Sequence, residues 1–216
     1  MSLVNAIRRL DSSPRPGKAV PRLLLVSDPI RLPDPAAAAA ALPAGSGLLL
    51  RPYHRIAGVE ALARFCRHRR LILLVAADWR LAARLGAAGL HLPEGLARHG
   101  VLAPALGWVR RHGRLLTIAA HSPAALARAA RLGADAALVS PVFPTASHPG
   151  AVTIGSLRLG LWRRFPGPPR LALGGLTVQT ARRLPPGAVM GFAAIGGLVP
   201  SQTPVQTAGE SQTQPT

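Results

Sequence analysis

The chain has 216 residues, 49% of them hydrophobic and 4% aromatic, which is enough for one large core in a single domain and too apolar for a disordered protein. Its formal charge of +18, from 26 Lys+Arg against 8 Asp+Glu, raises nucleic acid as a partner. Against that, Lys18 is the only lysine, and the arginines are spread along polar helix faces with no aromatic-interleaved basic strand. Abundant Ala, Arg, Gly and Pro reads as compositional drift, so no specific nucleic-acid function is expected. No apolar run reaches the ~18 residues of a membrane span. Nor does the N-terminal stretch read as a secretion signal, so a cytoplasmic protein is expected. Cys66 is the single cysteine. It excludes an intramolecular disulfide and falls on an amphipathic helical pattern, which favours a structural thiol over a catalytic one.

In chain order, residues 1–21 form an N-terminal extension, with a short apolar pattern followed by Ser, Pro and Gly. Continuous apolar runs then predict eight strands over 23–27, 48–51, 71–75, 89–92, 115–119, 137–140, 171–173 and 189–194. Runs without polar alternation suit parallel strands buried on both faces. Helical patterns lie between them at 35–42, 59–68, 79–85, 102–111, 123–132, 154–164 and 178–184. Asp34-Pro35 and Ser122-Pro123 each read as an N-cap followed by proline at the first helical position. Gly86 and Gly133 fall just past helix ends, where a left-handed cap favours glycine. Strand and helix alternating through eight strands predict a (β/α)8 barrel over 22–199 whose last helix is missing or vestigial. An open doubly wound sheet is the alternative, but the first strand runs into Asp28-Pro29-Ile30 rather than GxGxxG. Residues 200–216, rich in Ser, Gln, Thr and Pro, read as a disordered tail.

In a barrel of this kind the site lies at the C-terminal strand ends. There the sequence places Asp28, Arg51, Asp78, Glu94, His121, Thr145, Ser147 and His148, then the pairs Gly174-Gly175 and Gly196-Gly197. Each glycine pair closes an apolar run, after strands seven and eight. Glycine lets backbone N–H groups approach a phosphate closely, and this is the usual phosphate cradle of such barrels. Two tight turns without a ligand remain the alternative. His121 is either a hydrogen-bonded loop residue or a proton carrier, since an imidazole both takes and gives a proton near neutral pH.

The order of motifs resembles the thiamine phosphate synthase/TenI family over roughly residues 22–198. Val26-Ser27-Asp28 is similar to its first-strand signature, and Leu85-Gly86-Ala87-Ala88-Gly89-Leu90-His91-Leu92 to its "gADGVHLG" segment. Ala120-His121-Ser122-Pro123 resembles "S-x-H-S". The run Gly133 to Thr145, ending Ser140-Pro141-Val142-Phe143-Pro144-Thr145, follows "GADYIGVGPVFPT", and Ala172-Leu173-Gly174-Gly175-Leu176 resembles "AIGGI". The resemblance implies a (β/α)8 barrel in thiamine biosynthesis that binds small phosphorylated thiazole and pyrimidine ligands, with a homo-oligomer compatible with it. Synthases of the family join an aminopyrimidine pyrophosphate to a thiazole phosphate with Mg2+. TenI-type relatives include thiazole tautomerases that use a histidine matching His121.

Several family positions differ here. "QLREK" keeps only Arg51, and "ND" falls on Ala76-Ala77 unless a one-residue shift brings in Asp78. The aspartate near "HLGQE" has no counterpart in His91-Leu92-Pro93-Glu94-Gly95-Leu96, and "T-x-T-K" becomes Thr145-Ala146-Ser147-His148. Mg2+ is expected only for a synthase, on Asp78 and Glu94. The residues therefore lean towards His121-centred proton transfer, with the synthase and a non-catalytic ligand-binding barrel as alternatives.

Overall fold

The structure is a computed structural model and describes residues 3–7, 10, 18–32, 34–51, 58–145, 150–195 and 198. Eight parallel strands close in sequence order into a barrel: β1 (Leu23–Val26), β2 (Gly47–Leu50), β3 (Ile72–Ala76), β4 (Gly89–Leu92), β5 (Leu115–Ala120), β6 (Ala136–Val139), β7 (Arg170–Leu173) and β8 (Gly191–Ala194). Helices α2 (Pro35–Ala40), α3 (Val59–His68), α4 (Trp79–Arg84), α5 (Glu94–His99), α6 (Ala103–Arg111), α7 (Pro123–Arg131), α8 (Gly155–Trp162) and α9 (Val178–Ala181) alternate with the strands. The expected (β/α)8 architecture is therefore present. Element ends fall within two residues of the sequence reading, except at the last helix, which ends three residues earlier than expected. Helix α5 was not expected, because its six residues follow Pro93 too closely to show an apolar period.

Side chains of alternate polarity of direction divide the core in two. Leu24, Val26, Leu49, Leu74, Ala76, Leu115, Leu138, Leu171 and Ala193 fill the barrel interior. Their chain neighbours, such as Leu25, Leu48, Leu50, Val75, Leu90 and Phe192, pack outward under the helices. Continuous apolar strands are what this two-sided burial requires. The expected caps are present: Asp34 accepts from the Ala36 and Ala37 N–H groups, and Ser122 accepts from Ala125 N–H. Gly86 and Gly133 have φ of 62° and 76°, the left-handed caps expected of them. Cys66 is buried, and burial raises its thiol pKa to about 11, which suits a structural residue.

The seam between β1 and β8 is closed by a close backbone approach. Phe192 N–H donates to the Arg22 carbonyl at 2.8 Å. A Cβ on Gly191 would collide with that carbonyl oxygen and lie 2.7 Å from the Arg22 carbonyl carbon and Cα. The Arg22 side chain donates from Nε to Met190 O at 3.0 Å and from Nη2 to Ile7 O and Leu10 O at 3.1 Å each. The short helix α1 (Leu3–Ala6) and buried Leu3 and Leu10 are thereby held at the N-terminal end of the barrel. This part of the N-terminal extension is structured. The expected tail at 200–216 and any eighth helix lie outside the described residues. No helix among the described residues is long and apolar enough to cross a membrane.

One polar pair interrupts the apolar interior. His91 and Thr117 are register partners on β4 and β5, and their side chains meet at 3.0 Å, Nδ1 to Oγ1. Burial, then the Arg51 guanidinium and the His121 ring, push the His91 pKa down from 6.5 to about 3.

Two predictions follow from these packing and charge constraints. Gly191→Ala should destabilise the fold by about 1–3 kcal/mol, because only backbone can yield to the added methyl. A denaturation midpoint equal to wild type would refute it. For His91, the unfolded chain takes up a proton near pH 6.5 and the folded chain does not. Stability should therefore fall as pH drops from about 6.5 towards 3, by up to roughly 1.4 kcal/mol per pH unit from this one group. His91→Gln, which can keep the bond to Thr117, should show a correspondingly shallower loss in urea titrations between pH 6.5 and 4.

Candidate active site

The C-terminal ends of the strands surround a cavity of about 680 Å3. Its walls include five of the residues expected there, Arg51, His121, Thr145, Gly174 and Gly175, together with Arg31, Ser140, Leu176, Thr177, Thr180 and Ile195.

At the end of β1, the buried Ser27 and the half-covered Asp28 organise one arc. Arg51 N–H donates to Ser27 Oγ at 2.8 Å, and Arg51 Nε donates to Ser27 O at 2.7 Å. Asp28 Oδ1 accepts from the Ile30 and Arg31 N–H groups at 3.1 and 2.9 Å, an Asx turn that follows from aspartate before proline. Asp28 Oδ2 accepts from Arg31 Nη2 at 2.9 Å and Arg51 Nη2 at 2.7 Å. Burial alone would raise the Asp28 pKa, but the hydrogen bonds and charge of Arg31, with the Ile30 N–H, outweigh it and hold the carboxyl well below its ordinary range. Arg31 was not among the expected residues. Its signal was the Asp-Pro turn, which returns the chain over the mouth.

His121 stands at the end of β5, with half its side chain exposed. Its Nδ1 lies 2.6 Å from Ser140 O. A carbonyl only accepts, so Nδ1 carries the proton and Nε2 of the neutral ring keeps its lone pair. Glu94 fixes the backbone here: its Oε2 accepts from His121 N–H at 2.9 Å. Glu94 also pairs with Arg98 at 3.3 Å and lies 3.9 Å from Arg128 and 4.0 Å from His121 Nε2. Asp78 is the N-cap of α4, and its Oδ1 accepts from Leu81 N–H at 2.9 Å. The structure does not bring Asp78 and Glu94 into the cavity wall with the other expected residues. Among the described residues that wall carries no carboxylate, and no group of three or more His, Cys, Asp or Glu is placed to hold a metal ion. The described residues therefore do not fit a carboxylate-held Mg2+.

Gly174 and Gly175 have φ of 95° and 63°. Added Cβ atoms would meet Pro141 Cα and Cβ at 3.0 Å from Gly174, and from Gly175 the Pro144 carbonyl oxygen, with Phe143 C at 2.8 Å. The close approach that these glycines permit is thus made by the 141–144 loop. That loop continues the ladder through Val142 N–H to Leu173 O at 2.9 Å and Phe143 N–H to Gly174 O at 3.1 Å. Thr180 Oγ1 donates to Gly175 O at 2.9 Å, inside a Thr177–Thr180 capping box that begins α9. Fixing that carbonyl turns the Leu176 N–H to the opposite side of the same peptide plane. Thr177 and Thr180 were not among the expected residues, although Thr-x-x-Thr after a glycine turn is a capping signal. Ser147, His148, Gly196 and Gly197 lie outside the described residues.

Residues 39–198 match the family model described as "Thiamine monophosphate synthase" (TMP-TENI). The thiamine-phosphate synthase of Methylobacillus flagellatus is 31% identical over 166 residues, covering 74% of this chain and 77% of that protein. That of Nitrosococcus oceani is 28% identical over 144 residues, covering 66% and 64%. Among solved structures, a thiamine phosphate pyrophosphorylase from Pyrococcus furiosus superposes with a TM-score of 0.62 at 20% identity, covering 80% of this chain and 84% of that one. A 2-keto-3-deoxy-6-phosphogluconate aldolase from Zymomonas mobilis superposes with a TM-score of 0.55 at 15% identity, covering 93% and 91%, so the fold alone is shared more widely. With three quarters of its length matched by a family model and the expected motifs arranged round one barrel mouth, this chain belongs to the thiamine monophosphate synthase/TenI family.

Proposed function

We propose that the protein joins an aminopyrimidine pyrophosphate to a thiazole phosphate, releasing pyrophosphate, in the cavity at the strand ends. The observation that carries this reading is the wall of that cavity. Arg31 and Arg51 stand on the β1–β2 arc, and the Gly174–Gly175 turn stands on β7, so cations and a glycine turn face one space of about 680 Å3. A volume in the usual range for small-molecule sites accommodates two small substrates side by side. The relatives named as thiamine-phosphate synthases favour coupling over the His121-centred reading that the residues alone suggested.

In this reaction the thiazole nitrogen takes the pyrimidine methylene carbon while the bond from that carbon to pyrophosphate oxygen breaks, and its electron pair leaves with the pyrophosphate. Negative charge grows on the departing oxygen. Guanidinium groups already held in place stabilise that charge more than the ground state, which is the form of binding that speeds a reaction. No net proton transfer is needed, so His121 has a binding role here. The thiazole phosphate is assigned to the Gly174–Gly175 turn and the neighbouring Leu176 N–H, with Thr145 beside it. Ser147, His148, Gly196 and Gly197, adjacent in sequence to these walls, are assigned to the same phosphate groups.

A second reading, proton transfer on a thiazole phosphate, has one specific observation in its favour. The Ser140 carbonyl fixes His121 as the tautomer whose Nε2 accepts a proton.

The full-length protein should form thiamine phosphate and pyrophosphate in equal amounts from the two substrates. His121→Asn should retain that activity within about tenfold, whereas a general acid–base residue is worth about 10²–10⁴-fold. Loss of that larger size, or turnover of a thiazole phosphate without the pyrimidine substrate, would replace the coupling reading with proton transfer. Retained thiazole phosphate binding with no turnover in either assay would leave a ligand-binding barrel.

A further inference from the structure

We propose that the outer face of α8 docks on an anionic lipid surface, with Leu157, Leu161 and Phe165 entering the acyl boundary and Arg158, Arg163 and Arg164 meeting the headgroup phosphates. The inference is independent of the coupling reading.

The first observation is a helix that is apolar on both sides. Leu159 and Trp162 of α8 are buried in the core. Leu157 and Leu161, one turn apart, face the other way and are 85% and 57% exposed. Three i to i−3 bonds, from the N–H groups of Arg163, Arg164 and Phe165, carry the coil on to Phe165, which is 44% exposed. Val152, just before the helix, is exposed as well. Six large apolar side chains stand exposed among the described residues, and these are four of them. Ile30 and Val101 stand singly, which is ordinary for a surface, whereas a cluster marks a contact. The outer face of α3 shows the ordinary arrangement, with Glu60, Arg64 and Arg67 exposed. A helix that is apolar all round is one that is covered.

The second observation is charge, and it selects what covers the face. Arg158, Arg163 and Arg164 are exposed beside the apolar residues. Between Asp135 and Glu210 the sequence has six arginines and no carboxylate. A second copy seated face to face would set guanidinium groups against guanidinium groups, with no carboxylate of this stretch to relieve them. A bilayer of anionic lipid supplies hydrocarbon for the leucines and Phe165 and phosphates for the arginines. Arginine stems lie along apolar surface while their heads reach the headgroup layer. The outer side of a barrel helix is a ridge rather than a groove, which suits a planar partner and not a bound peptide helix.

Co-sedimentation of the full chain with phosphatidylglycerol vesicles tests the docking face. A chain of +18 is drawn to any anionic surface, so binding is read in about 0.3 M salt, where screening cuts the reach of charge to about 6 Å. The wild-type chain should still sediment with these vesicles and should stay free of phosphatidylcholine vesicles. Leu157→Asn with Leu161→Asn keeps the charge and should weaken binding by about 10- to 100-fold, because two leucines lose their apolar burial. Arg158→Gln with Arg164→Gln should weaken it by about five- to tenfold. Arg110→Gln with Arg111→Gln, at the end of α6, removes the same charge elsewhere and should change it by less than about twofold. All six positions are exposed, and an unchanged melting profile would show that each variant folds. No binding in about 0.3 M salt, or binding that the leucine pair does not change, would overturn the proposal. Equal losses from the α6 and α8 arginine pairs would overturn it in favour of attraction by overall charge. A concentration-dependent dimer that the leucine pair abolishes, without vesicle binding, would assign the face to a second copy instead.

Discussion

Closure of the barrel between β1 and β8 is the constraint on which everything else rests. Parallel strands have no short connections, so each must wait for its helix before the next can pair. The last pairing then has to find the first strand across the whole chain. Here that contact is made backbone to backbone, with Gly191 against Arg22 and no side chain between them. The Arg22 guanidinium adds bonds to Met190 O on one side and to Ile7 O and Leu10 O on the other. Because the seam is closed, all eight strand ends point to one rim. Residues as far apart in sequence as Arg31 and Thr180 thereby share a cavity.

Charge is the second constraint, and it links fold to site. Six of the eight carboxylates lie among the described residues, and each has a structural partner. Asp34 and Asp78 cap helices, and Asp135 takes the Leu116 N–H and Lys18. Glu60 faces Arg84 on the surface, Glu94 holds the His121 loop, and Asp28 aligns two arginines. The described carboxylates are thus all engaged by backbone N–H groups or basic side chains.

How much could be read from the sequence depended on the physical range of each signal. The strands were legible because burial on both faces removes polar residues, as in Leu48-Leu49-Leu50. The caps at Asp34 and Ser122 were legible because the bond they make is local. Helix α5 was not, because a six-residue helix is too short to show a period. At the site, His121, Arg51 and Gly174–Gly175 follow from their positions at strand ends. Arg31 does not, since its place depends on a hydrogen-bonded turn that lies over the rim. The glycine pair, read as a phosphate cradle, lines the cavity, and the 141–144 loop packs where added Cβ atoms would stand. Ala77 is a similar case. Its φ of 63° is a conformation that asparagine tolerates better than alanine. This supports the register in which Asp78 follows the family's asparagine position, and an alanine side chain alone could not indicate it.

The buried pair beneath the mouth connects these two constraints. His91 lies where an apolar residue would satisfy the packing, yet it is held neutral first by burial and then by the Arg51 guanidinium and the His121 ring, with Thr117 as its partner. The Arg51 guanidinium and the His121 ring both disfavour a charged His91, so groups of the rim act on the interior. The charge of an anion bound at the rim is opposite to that of Arg31 and Arg51, which line the same cavity. On the proposed function, a phosphorylated ligand in this barrel serves as a counterion as well as a substrate. Ligand binding and stability of the rim are then linked by mass action, because whatever binds only the folded state stabilises it.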